Sequence, residues 1–210
     1  MSTTEKRHPR MRPETLLRRR EILRAATQVF GSKGYTNGTL VDIADLVGMT
    51  HAGILHHFGS KDQLLLEVLT YRDETDVEHL AERHIPGGSE FFKHLSRTAM
   101  ANAHRAGIVQ AFAVLSGESV TDKHPARDYF AGRYANLRSE AQDAFEVMCA
   151  EAGIDKPDTV AHASAAILAV MDGLQVQWLH NPIDVQLGEA TEFAIDAIVS
   201  AVMNTHQSEQ

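Results

Sequence analysis

The chain has 210 residues, 43% of them hydrophobic, which is enough for one compact body with a small appended domain. Its formal net charge of −8 is polarised: residues 1–61 hold ten Lys and Arg against five Asp and Glu, a net of +5, while residues 62–210 hold ten against twenty-three, a net of −13. This excludes a chain that is basic throughout and suits one that meets phosphates at its amino-terminal end alone, and the single cysteine, Cys149, excludes a disulfide framework and a multi-cysteine zinc site.

Residues 1–12, M-S-T-T-E-K-R-H-P-R-M-R, are polar and basic without apolar periodicity, so residues 1–13 are expected to form an arm. Pro13 opens a helix whose stripe is Leu16, Leu17, Ile22, Leu23, Ala26, Val29 and Phe30, ending at Gly34. Thr39 with Asp42 has capping-box spacing, and Leu40, Ile43, Ala44 and Val47 share one face of the short helix that follows. Gly48 breaks it. Thr50 caps a second short helix with Ile54, Leu55 and Phe58 inward and His51, Ala52, Gly53, His56 and His57 outward, and Ser60 with Gln63 caps a third. Two short capped helices around a glycine turn are what a helix-turn-helix reader of the major groove requires.

These segments resemble the DNA-binding domain of the TetR family of transcriptional regulators. The resemblance rests on R-R-R-E-I-L-R-A-A-T-Q-V-F-G-S-K-G-Y from Arg18, then T-L-V-D-I-A, G-M-T and H-H-F-G-S-K-D-Q-L-L, in the family's order and spacing over about residues 18–70. It implies an all-α chain of about nine helices, with a three-helix DNA-binding domain at 14–70 and a helical ligand-binding and dimerisation domain at 71–210. It also implies a reading helix at His51–Phe58, with Thr39, Thr50 and Lys61 toward phosphates; on its outward face, beside Gly53, His51 is the candidate for a base edge and Ala52 for a thymine methyl, while His56 and His57 are expected to contact phosphate or pack in a second layer. The chain departs from the family in carrying Leu55 where many members have a phosphate-reaching tyrosine, and in placing Gly53 inside a helix. With few long side chains left to read bases, Arg12, Arg10 and Arg7 are expected either to enter a minor groove or to add general affinity.

The pattern L-L-L-E-V-L-T-Y carries a connector helix to about Glu82, with Pro86-Gly87-Gly88 as its break. Helices are expected over Ser89–Ala106 and Ile108–Ser119, from Pro125 to Gly153 with the stripe Phe130, Tyr134, Leu137, Ala141, Phe145 and Met148, from Pro157 onward, and over about Leu187–Asn204. The last two are apolar on more than one face. Family resemblance assigns one face to a second copy of the chain, which places Ile167, Val170, Leu174, Ala194, Ala197 and Ala201 in a homodimer interface. An unknown small-molecule effector is implied as well. Phe92, His94, Met100, His104, Phe112, Met148, Asp172 and Trp178 are the residues offered for it, most of that set also suiting a core. Asp172 stands out, because an ionised carboxylate among apolar neighbours needs a ligand cation, a basic residue or a dimer contact as its partner.

Neither metal nor cofactor is expected: Glu90 and His94 stand at i, i+4 with His79 and His84 nearby, but no H-E-x-x-H or paired cysteine motif occurs. No G-x-S-x-G or phosphate-binding glycine loop occurs, and Cys149 has no motif around it, so catalysis is not expected. No leader-like run follows the basic start and no uninterrupted apolar run is long enough for a membrane span, which makes the cytoplasm the expected compartment. The reading that follows is a dimeric repressor on a palindromic operator, relieved by a small molecule. An activator or dual regulator, and a helical dimer without DNA binding, are the alternatives.

Overall fold

The computed structural model describes residues 13–77 and 87–204, the side chains of 74–77 excepted. The arm with Arg7, Arg10 and Arg12, the connector beyond residue 77, Pro86, His79 and His84 lie outside those residues. Among the described residues the chain is all-α, with nine helices: α1 (Pro13–Asn37), α2 (Leu40–Leu46), α3 (His51–Phe58), α4 (Lys61–Val77), α5 (Ser89–Asn102), α6 (Ala106–Ser119), α7 (Arg127–Ala152), α8 (Pro157–His180) and α9 (Leu187–Met203).

α1 buries Ile22, Leu23, Ala26, Val29 and Phe30 on one face, as its helical period requires. Leu16 and Leu17, expected on that stripe, are 44% and 61% exposed, because burial of α1 starts only at Ile22. The helix also runs past Gly34. That residue takes φ 73° and ψ 174°, kinks the chain, and still accepts from the Gly38 N–H at 3.1 Å.

One core joins the reading pair to the rest of the molecule. Ile22, Phe30, Ile43, Ile54, Leu64 and Leu65 pack with Phe112 and Leu115 of α6, with Ala126 at the cap of α7 and with Phe130 of α7. Each fully buried aliphatic or aromatic side chain here is worth about 1.5–3 kcal/mol over its exposed state, so the head and body stabilise one another across α1 and α6. Where the backbones of α1 and α6 pass, an added Cβ on Gly31 would stand 3.1 Å from Ala111. A second core unites α5, α7, α8 and α9 through Phe91, Phe92, Phe145, Ile167 and Ile195, with Phe92 and Phe145 ring centroids 4.4 Å apart.

Several boundaries differ from expectation. α5 ends at Asn102, whose side chain is buried and accepts from Arg105 at 2.8 Å, so the turn falls before Ala106. Pro125 lies in the turn ahead of α7, where His124 Nδ1 accepts from the Ala126 N–H at 3.2 Å. α8 is long and apolar enough to cross a membrane, and here it lies in the bundle against α6, α7 and α9. Ile167, expected in a dimer face, is fully buried in the second core and is unavailable to a partner; Val170, Leu174 and Ala194 are half-buried, while Ala197 and Ala201 face outward. The outward face of α8 and α9 also carries Ala169, on the second apolar side that periodicity gives α8, and Ala166, Val176 and Phe193, the last 77% exposed, which periodicity alone did not single out.

Candidate nucleic-acid interface and effector cavity

The reading pair is held by its caps. Thr39 Oγ1 accepts from the Asp42 N–H at 3.1 Å and donates to Asp42 Oδ2 at 2.8 Å, while the Thr39 N–H donates to the same carboxylate at 3.0 Å. Lys33 donates to Asp42 Oδ1 at 2.8 Å, and these contacts, Lys33 foremost, hold the Asp42 carboxyl down at about 2. The lysine thus neutralises the one acid of this cap. Thr50 Oγ1 accepts from the Gly53 N–H at 3.1 Å, and Ser60 Oγ accepts from the Gln63 N–H at 3.0 Å. All three caps predicted from spacing are formed.

α3 turns Ile54 and Phe58 into the core and leaves His51, Ala52 and His56 exposed; Gly53, Leu55 and His57 are half-buried. The Gly53 position is tight: an added Cβ would stand 3.0 Å from the terminal methyl of Met49, the movable end of a flexible side chain, and 3.4 Å from Thr50 Oγ1. His57 titrates below its ordinary value because burial disfavours its charge, with His56, Arg19 and Arg18 adding to the effect. Arg19 is a tether that sequence reasoning missed. Its guanidinium lies over the Phe58 ring at 4.2 Å and donates to the His57 carbonyl and to Glu67, so α1, α3 and α4 are tied at one point. The signal was the run Arg18-Arg19-Arg20, whose middle member falls on the buried side of α1.

Lys61 stands at the start of α4 with its ammonium 4.3 Å over the Tyr35 ring. Partial burial lowers its pKa, and the charges of Asp62 and Glu118 pull the other way. Tyr35 ties this end of the head to the body. Its hydroxyl donates to Asp62, its backbone N–H donates to Glu118 Oε2 of α6 at 2.6 Å, and its ring meets the His124 ring edge-on at 5.2 Å.

The eight residues offered for an effector do not form one site. His94, Phe112 and Asp172 line one cavity of about 620 Å3, together with Tyr129, Arg133 and Tyr134. Phe92, Met100 and Met148 line a separate groove beside α9, and Trp178 with Met100 and His104 lines a third near the α8–α9 turn. They separate because they come from different faces of α5, α7 and α8. In the first cavity Asp172 accepts from the Tyr134 hydroxyl at 2.5 Å, and Tyr134 also contacts Ser116 Oγ at 3.1 Å. Burial raises the Asp172 pKa, partly offset by the Tyr134 bond and by Arg133 and Arg72. Asp73 of α4 takes hydrogen bonds from Tyr129 and Arg133 of α7, and Arg72 lies 4.2 Å over the Phe112 ring. Among the described lining residues of this cavity, four carboxylates, Asp73, Asp128, Glu140 and Asp172, stand against two arginines. Asp172 was anticipated; Tyr134, Arg133 and Asp73 were not.

A capped helical pair on a basic head, fused through one core to a helical body with an internal cavity, defines a DNA-binding regulator of the one-component kind. The model "Bacterial regulatory proteins, tetR family" matches residues 22–68, and "BetI-type transcriptional repressor, C-terminal" matches residues 100–202. The chain belongs to the TetR family. It is 38% identical over 65 residues to the HTH-type transcriptional repressor AcnR of Corynebacterium jeikeium, covering 31% of this chain and 32% of that protein. It is 45% identical over 53 residues to the HTH-type transcriptional regulator BetI of Agrobacterium fabrum, covering 25% of this chain and 26% of that one. These matches thus span a third or less of the relatives' length. A transcriptional regulator from Saccharomonospora viridis, solved in complex with choline, superposes with a TM-score of 0.70 at 23% identity, covering 86% of this chain and 94% of that one.

Proposed function

We propose that the protein is a cytoplasmic, dimeric repressor whose paired α3 helices enter successive major grooves of a palindromic operator, and that a small organic cation in the Asp172 cavity releases it. The observation that carries this reading is the span of α4, from Lys61 at the head to Asp73 in the cavity wall. Those residues are twelve apart, about 18 Å along a helix. A cation seated between Asp172 and the rings of Phe112 and Tyr134 gains charge and cation–π attraction. It also repels Arg133 and Arg72, two of the groups that, with Tyr129, hold Asp73. Loosening that hold lets α4 and the head move, and a ligand that favours the moved state shifts the equilibrium toward release. The choline seen in the Saccharomonospora structure supports a cationic effector.

At the head, Lys61 and the first-turn amides of α2 and α3, beside Thr39 and Thr50, would contact phosphates, with His51, Ala52 and Gly53 against base edges and His56 and His57 flanking them. For pairing, the outward face of Ala169, Val176, Phe193, Ala197 and Ala201 is the surface to be covered, since an aromatic ring 77% exposed is costly to leave in water. The test is displacement of a labelled operator duplex by choline chloride and by tetraethylammonium chloride. Release by either, lost in Asp172→Asn, supports the reading. No release by both contradicts the cationic effector.

A further inference from the structure

On the other side of Arg72 and Phe112 lies a second cavity, about 660 Å3, lined by α1, α4 and α6. Its chemistry is the opposite of the first. Arg24 comes from α1, Arg72 from α4, and His104 and Arg105 from the turn before α6, and no carboxylate is found among the described lining residues. The floor is apolar, formed by Leu69, Phe112 and Leu115 with Ile108 at the side. α6 begins in the cavity wall: Arg105 is its cap residue, and Ala106 and Gly107 bring the amide end of the helix to the lining. Three guanidinium groups and a helix amino terminus around a greasy slot fit an oxyanion head with a hydrocarbon tail.

We infer that this cavity is a second ligand site, specific for an amphipathic carboxylate, placed at the seam between head and body. The inference does not depend on the cationic effector, because the two cavities share only the Arg72–Phe112 wall and differ in charge. An occupant would stand directly between α1 and α6, the helices whose packing fuses the reading head to the body, so its binding would register in DNA affinity without passing through Asp172. Arg105 already donates to Asn102 and Arg72 to Asp73, and a carboxylate would share or exchange these bonds.

The test is isothermal titration calorimetry on the full chain with sodium decanoate, with decyltrimethylammonium chloride as the probe of opposite charge. Decanoate should bind saturably at one site per chain. Its affinity should fall by about tenfold or more in Arg24→Gln/Arg105→Gln, since hydrogen bonds to a charged partner are each worth that much. It should be unchanged in Asp172→Asn. Arg24 is exposed, so Arg24→Gln alone keeps the fold and should still weaken decanoate measurably. The inference is overturned if wild-type protein shows no saturable decanoate binding, if both arginine variants bind it as wild type does, or if Asp172→Asn abolishes it, which would put the carboxylate in the other cavity.

Discussion

Replacing Gly34 with alanine isolates the contact that ties the reading head to the body. Two costs follow from the structure. The backbone at φ 73°, ψ 174° lies in a region essentially reserved for glycine, and an L-residue held there loses about 1–3 kcal/mol. The new Cβ would also stand 2.1 Å from Glu118 Oε1. That carboxylate is the movable end of a flexible chain, so the clash is relieved by swinging it away. Doing so breaks the 2.6 Å bond from the Tyr35 N–H, worth about 1.5–3 kcal/mol because its acceptor is charged. Gly34→Ala should therefore lose about 2.5–6 kcal/mol, and Glu118→Ala alone about 1.5–3 kcal/mol. In the double variant the bond is lost once, so it should be no less stable than Gly34→Ala. The shortfall from additivity is then about 1.5–3 kcal/mol. Urea unfolding of the four proteins, followed by circular dichroism, measures this cycle. Additive losses would refute the reasoning, because they would mean that Gly34 and Glu118 act independently.

Four further outcomes are expected. Gly53→Ala should stabilise α3 by up to about 1 kcal/mol, as only the Met49 methyl must give way, yet weaken operator binding if the α3 backbone lies against DNA; a thermal melt and a gel shift on one preparation decide it. Lys61→Ala should weaken binding to operator and scrambled duplexes alike and flatten the salt dependence by about one unit of slope, whereas His51→Ala should cost about 1–3 kcal/mol on the operator alone; a reversed pattern would exchange the two roles. Because burial raises the folded-state pKa of Asp172, the folded chain holds that proton more tightly than the unfolded one, and stability falls as pH rises through the folded value. Asp172→Asn, neutral throughout, should remove that fall and match or exceed wild-type stability at neutral pH; a variant that loses ground as pH rises contradicts the assignment. Phe193→Asp should dissociate a dimer in sedimentation velocity without lowering the helical signal, and an unchanged sedimentation coefficient would remove α9 from the interface.

The head was readable because its signals are local. A cap and its acceptor lie three residues apart, so Thr39 with Asp42, Thr50 with Gly53 and Ser60 with Gln63 could be paired from spacing, and each pair is formed. The cavity was not readable in the same way. Asp73 meets Tyr129 and Arg133 across more than fifty residues, and nothing in helical periodicity says which faces of α4, α7 and α8 turn toward one another. Tyr134 fell on the apolar stripe of α7 and was read as packing, although its hydroxyl is what meets Asp172. Periodicity likewise showed that α8 is apolar on more than one face but could not say which face is internal. Ile167 was therefore assigned outward, whereas the second core closes over it. Arg19 shows a related limit: a charge reads as solvated until its stem is seen lying along Phe58.

The central claim is that this chain reads duplex DNA as a pair of α3 helices. The most direct test is selection from a random duplex pool with the purified full chain, repeated across a salt series. Paired α3 helices should enrich an inverted repeat with half-sites about one helical turn apart, and the affinity should fall linearly on logarithmic axes as salt rises. Recovery of no enriched sequence even at low salt, or an affinity indifferent to salt, would contradict it.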